Sequence, residues 1–120
     1  MAASKSNTVV RNNVTMTSGA ADSNSTSTDL RTSYGGEALI KLTNGATGPT
    51  VPAQVQIQLS NDDSNYYNYG GALIGSTSNN GVASWAIDIP IGTMYIRFVS
   101  GSNTGQDVTL RVELATVTGI

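Results

Sequence analysis

The chain has 120 residues, a net charge of −2, 12% charged side chains, and neither cysteine nor histidine. That length fits one domain with a core of its own, and the missing residue types exclude disulfides and the usual zinc or nucleophile–base sets. Without a basic excess there is no field to hold nucleic acid or an anionic membrane surface. Ser, Thr, Asn and Gly make up 53 of the 120 residues, so hydroxyls and amides must keep the surface polar.

The chain opens on "MAASKSNTVV", which carries one lysine and no apolar stretch of signal-peptide length. No Sec leader is expected, and no apolar run approaches the length of a membrane span. Residues 7–17 and 28–32 read as weak strands. Between them "SGAADSNSTST" is a polar, low-complexity segment. The reading is an N-terminal arm and linker over 1–28 and a body over 29–120. An arm of this kind is positioned to add a strand to its own sheet or to a neighbour.

From residue 39 onward the periodicity is two. Residues 39–43 place Ile40 and Leu42 on one face. In 54–59, Val55, Ile57 and Leu59 alternate with Gln54, Gln56 and Gln58. Residues 66–74 read as an edge strand interrupted at Gly70 and Gly71, where a bulge is expected. In 83–89, Ala83, Trp85, Ile87 and Ile89 share a face. Met94, Ile96 and Phe98 do so in 94–99, and Val108, Leu110, Val112 and Leu114 in 108–114. Seven to eight short strands separated by turn residues predict an all-β, antiparallel, jelly-roll-like β-sandwich. Trp85, Phe98, Ile57 and Leu110 are expected at the centre of its core.

Two stretches echo each other: "LIKLTNGATGPTVPAQVQIQL" and "MYIRFVSGSNTGQDVTLRVEL". Each reads as strand, Thr-Gly loop, strand, with Lys41 and Arg97 at the same point. Two similar hairpins, one per sheet, are expected, with their tips together at one end. Neither loop is a phosphate cradle. A P-loop needs Gly-Lys-Ser/Thr and a following helix, whereas Gln106 and Asp107 lead into a strand and Pro49 lacks an amide. "SNDDSN" (60–65) gathers two carboxylates without the alternating acids and distal glutamate of a calcium loop, so a hairpin tip is expected. Arg97, Arg111 and Glu113 are expected to form a cross-strand charge cluster. Glu37, Asp88, Asp107 and Glu113 are scattered over different strands, so no acid–base pair is expected. The chain is read as non-enzymatic, with no metal or cofactor.

The residues best suited to partner contact are Val9, Val10 and Arg11 in the arm, the tyrosines Tyr66, Tyr67 and Tyr69, and the loop residues Asn44, Thr47, Asn103 and Thr104. Tyrosine suits such a role because its ring is apolar and its hydroxyl stays wet. The same tyrosines, with Trp85, allow a second reading as a sugar-stacking platform.

The run "LIKLTNGATGPTVPAQVQIQLSNDDSNYYNYGG", with Ser60, Asp62 and Tyr66 in an S-x-D-x-x-x-Y hairpin, resembles small β-sandwich structural proteins of tailed-bacteriophage virions. So does the closing stretch, with Arg97 and then Asn103 to Gln106. The resemblance covers 29–114. It implies a capsid decoration, or cement, protein without an active site. Such a protein binds the outer surface of the major capsid lattice, often as a trimer at three-fold positions, and stabilises it. It would be made in the host cytoplasm and end on the virion. A neck, tail or head-fibre component is the alternative within the class.

Overall fold

The computed structural model describes residues 4–19 and 26–119. Among the described residues nine strands follow in chain order: β1 (Ser4–Met16), β2 (Thr28–Asp29), β3 (Gly36–Asn44), β4 (Gln54–Ser60), β5 (Tyr67–Asn68), β6 (Leu73–Ile74), β7 (Val82–Ile89), β8 (Tyr95–Gly101) and β9 (Val108–Gly119). One sheet runs β1-β9-β3-β7. The other runs β2-β8-β4-β5, with β6 also on β4, and every pairing is antiparallel.

This is a jelly-roll sandwich if β5 and β6 are counted as halves of one edge strand. The break falls at Gly70, which has φ 73°, a conformation that glycine adopts without steric cost. The expected interruption of 66–74 therefore lies where the glycines suggest.

The core forms between the inner faces, as the alternation dictates. Ile40 and Leu42 of β3, Val55 and Ile57 of β4, Ile96 and Phe98 of β8, and Leu110, Val112 and Leu114 of β9 are all buried. Phe98, Ile57 and Leu110 hold the predicted central places. Trp85 does not. It faces inward from β7 but remains half-buried, because β7 is the outermost strand of its sheet.

The echo has a different meaning from two hairpins. β3 and β4 lie in different sheets, and so do β8 and β9, so each echoed loop carries the chain across the sandwich. The matched segments then pair crosswise, β3 with β9 and β4 with β8. Their loops do meet at one end. The Thr50 amide donates to the Thr104 carbonyl at 2.7 Å, and Val51 and Thr104 form a β-bridge.

The crossing also separates the expected charge cluster. Arg97 lies on the outer face of one sheet and Arg111 on that of the other. Arg97 donates through Nε to Gln58 Oε1 at 2.7 Å. Arg111 reaches Glu113 at 3.4 Å and Asn12 Oδ1 at 2.8 Å.

Residues 4–16 of the segment read as an arm form an edge strand along β9. Its alternation is broken by a register shift between Val9 and Arg11. Val9 pairs with Glu113 and faces out, whereas Arg11 pairs with the buried Val112 and faces in. One extra residue in a strand reverses the face of every side chain beyond it, and here it turns an arginine into the sandwich.

Candidate interaction surface

The open flanks of the sandwich are closed by polar side chains reaching from one sheet to a backbone carbonyl of the other. On the β1 side, Arg11 Nη2 donates to the Phe98 carbonyl at 3.1 Å, and the guanidinium is buried. On the β7 side, Tyr69 packs its ring on the core and donates from Oη to the Asp88 carbonyl at 2.9 Å. A buried charge needs such partners, because taking it out of water without them costs several kcal/mol. These two side chains belong to the fold rather than to a surface offered to a partner.

The three tyrosines consequently do not form one platform. Tyr69 is turned inward. Tyr66 lies on the outer face of β4 and β8, where the Arg97 guanidinium sits 3.8 Å from its ring centre. Its hydroxyl donates to Asp63. Burial and that carboxylate raise the phenol's pKa, while the same hydrogen bond, with one from Ser27, lowers that of Asp63. Tyr67 alone projects freely, at 72% exposure.

The "SNDDSN" tip is a closed hydrogen-bonded turn. Asp62 Oδ1 accepts from the Ser64 and Asn65 amides at 3.0 and 2.8 Å and from Ser60 Oγ at 3.0 Å. Its Oδ2 accepts from Asn65 Nδ2 at 2.7 Å. The backbone amides of Asn65 and Ser64 hold this carboxyl far below its usual range. Its oxygens cap a turn, the ordinary role of aspartate there. Nearby, Arg31 pairs with Asp29 at 2.7 Å and lies 5.3 Å from the Tyr95 ring centre. Arg31's side chain and amide lower the Asp29 pKa to about 2.

At the opposite end the crossing loops come together with the 75–81 turn and the end of β1. Asn44 and Asn103 hold this end together from inside. Asn44 Nδ2 donates to the Ser76 and Ser78 carbonyls at 2.8 and 2.9 Å. Asn103 Nδ2 donates to the Met16 and Gln106 carbonyls, each at 3.0 Å. Both are buried, so neither presents its amide to a partner as the sequence reading expected. An unpaired buried carbonyl costs free energy, and one amide placed between two of them removes both penalties.

Further bonds fix the rim. The Gly48 amide donates to Asn79 Oδ1 at 2.9 Å, and the Ser18 amide to Asp107 Oδ1 at 2.8 Å. A side chain at Gly48 would not fit, since a Cβ there would lie 2.0 Å from the Thr77 carbonyl oxygen. Ala46, Thr47, Thr50, Ser102, Thr104 and Gln106 are among the residues exposed at this end. Beside them is a shallow cleft lined by Ser18, Gly45, Ala46, Thr47, Gly105, Gln106 and Asp107.

The structure thus brings Thr47 and Thr104 together on one exposed end and buries Asn44 and Asn103 beneath them. It places Val9 on the outer face of the β1 sheet at 41% exposure, tucks Val10 against the core, and separates both from the tyrosines. Among the described residues, no three acidic side chains converge as a metal site would need.

No protein-family description matches the chain, and no curated protein matches it. Solved structures share the fold. The SPBc2 prophage-derived protein YomS superposes with a TM-score of 0.55 at 14% identity, over 96% of each chain. The K3 cleaved adhesin domain of the Lys-gingipain of Porphyromonas gingivalis superposes with a TM-score of 0.53 at 15% identity. It covers 77% of this chain, which spans only 61% of the adhesin domain. At these identities the likeness is one of fold.

Proposed function

We propose that this chain is a non-enzymatic structural protein of a bacteriophage virion, and within that class a decoration protein on the outer surface of the capsid lattice. The observation that carries the reading is the end-to-end match with a prophage-derived protein, 96% of each chain, against the partial match with the adhesin domain. The lattice-binding surface is the end formed by the two crossing loops. Asn44, Asn103, Asp107 and Asn79 hold its exposed threonines, serine and glutamine in place. A surface ordered before contact loses little conformational entropy on binding. Repetition across a lattice adds avidity beyond the single-site affinity.

The sugar-stacking reading is not favoured, because Tyr69 and Trp85 face inward and Tyr66 is stacked under Arg97.

The test is co-sedimentation of the purified chain with capsid shells of the phage that encodes it, combined with labelling of intact particles. Saturable binding to shells, with label over the head, supports the proposal. Thr47→Arg with Thr104→Arg should weaken binding at least tenfold. Label confined to the tail overturns decoration but leaves the virion class standing. A chain absent from purified particles overturns both.

A further inference from the structure

Exposed strand edges are templates for pairing with another chain, and proteins usually blunt them by shortness, bulges, lysine or proline. Among the described residues, three of the four sheet edges are blunted. β2, β5 and β6 are two residues long. β1 carries Lys5 and several register shifts, and Asn13 there has φ 51°. β7 differs. Its eight residues, "VASWAIDI", pair with β3 without a register shift and contain no Lys, Arg or Pro.

Which backbone groups face the open side follows from the ladder. The Tyr34 amide donates to the Val117 carbonyl and the Val117 amide to that of Gly35. Odd-numbered residues of β3 therefore bond to β9, and even-numbered ones to β7. Their partners on β7 are Ala83, Trp85 and Ile87. Val82, Ser84, Ala86 and Asp88 then turn N–H and C=O outward. The Asp88 carbonyl already accepts from Tyr69. Among the described residues, no strand pairs with this side of β7.

We propose that β7 pairs antiparallel with β7 of a second copy, centred on Ser84, joining two four-stranded sheets into one of eight strands. Three features select a second copy and this register. Ser84 opposite Ser84 and Val82 opposite Ala86 use all three free N–H/C=O sets and leave Asp88 outside the ladder. Centring on Ala86 would set Val82 against Pro90, which has no N–H, and centring on Trp85 would set Val82 against Asp88. On the outer face, Val82 at 58% exposure meets the second copy's Ala86. Leu39, at 42% exposure, is that alanine's neighbour across the β3–β7 ladder. On the inner face the half-buried Trp85 meets the second copy's Ala83. The contact uses the same patch on both copies and closes at two, unlike the trimer that the virion resemblance implies.

The test uses sedimentation of the full chain and two kinds of variant. Wild type is expected to sediment at twice 12.4 kDa, and the emission of Trp85, the one tryptophan, to shift red on dilution. Ser84→Pro removes only an outward N–H, and Val82→Lys places a charge in the seam. Both are expected to give monomers with wild-type circular dichroism. If Ser84→Pro fails to fold, Val82→Lys decides alone. In a chain without native cysteine, Ser84→Cys is expected to crosslink to a dimer under mild oxidation, since opposed residues lie about 5.5 Å apart, within disulfide reach. Thr47→Cys, on the loop end, is expected not to. A wild type that stays monomeric up to about 1 mM, or a dimer that survives Val82→Lys, overturns the proposal.

Discussion

Replacing Asn103 by alanine tests how the loop end is held. The substitution removes the Nδ2 group that donates to the Met16 and Gln106 carbonyls at 3.0 Å each, at a site only 1% exposed. Each lost hydrogen bond costs about 0.5–1.5 kcal/mol net, so the pair predicts a loss of about 1–3 kcal/mol. Unfolding entropy of about 2 cal/mol/K per residue converts this, for a chain this size, into a fall in Tm of about 4–12 °C. Asn103→Asp should be worse at neutral pH, because a buried carboxylate would face two carbonyl oxygens. The control is Thr47→Ala at the exposed rim, expected to stay within about 0.5 kcal/mol of wild type. Urea denaturation and calorimetry measure all three. A loss below about 1 kcal/mol for Asn103→Ala, or an aspartate tolerated as well as alanine, would refute the role given to the amide.

Gly48→Ala should lower stability by at least about 1–3 kcal/mol, because its Cβ would press 2.0 Å from the Thr77 carbonyl oxygen and both elements are backbone; thermal melts check it. Deleting residues 1–16 should destabilise the body and leave it largely unfolded at 37 °C, because β9 loses one of its two neighbours and the sandwich loses Arg11 and Met16; circular dichroism of the truncated chain reads this directly. Arg11→Met keeps the apolar stem and removes the bond to the Phe98 carbonyl, so hydrogen exchange near β8 should quicken. The pH dependence follows from Asp29, lowered to about 2 by Arg31, and from Asp62 and Glu113, also lowered, by the amides of Asn65 and Ser64 and by Asn7 and Arg111 respectively. Carboxyls with depressed folded pKa values stabilise above the unfolded value of about 4 and lose that contribution as pH falls towards 2. With no histidine, the urea midpoint should be flat between about pH 5 and 8 and decline below about 4; a step near 6.5 would contradict this.

The sequence alone determined the strands and the inward rows. Alternation of apolar side chains sets which face of each strand is buried, and burial is a local, period-two property. Phe98, Ile57 and Leu110 were legible for that reason, and so was the break at Gly70. The fate of the loops was not. A strand–loop–strand pattern is the same whether the chain turns back in one sheet or crosses to the other, so "LTNGATGPTVPAQ" and "FVSGSNTGQD" read as hairpins and prove to be crossings. The crossing put Arg97 and Arg111 on opposite faces and drew Asn44 and Asn103 inward, because the loop carbonyls there have no strand partner and need an amide. The bulge beside Val10 turned Arg11 from the outer face to the inner one, and nothing in "TVVRNNV" marks that reversal. Trp85 shows the remaining limit: its face is written in the alternation, but its half-burial depends on β7 being the last strand of its sheet. Strand order arises from contacts between residues far apart in the chain, so only the tertiary structure decided which edge was left open.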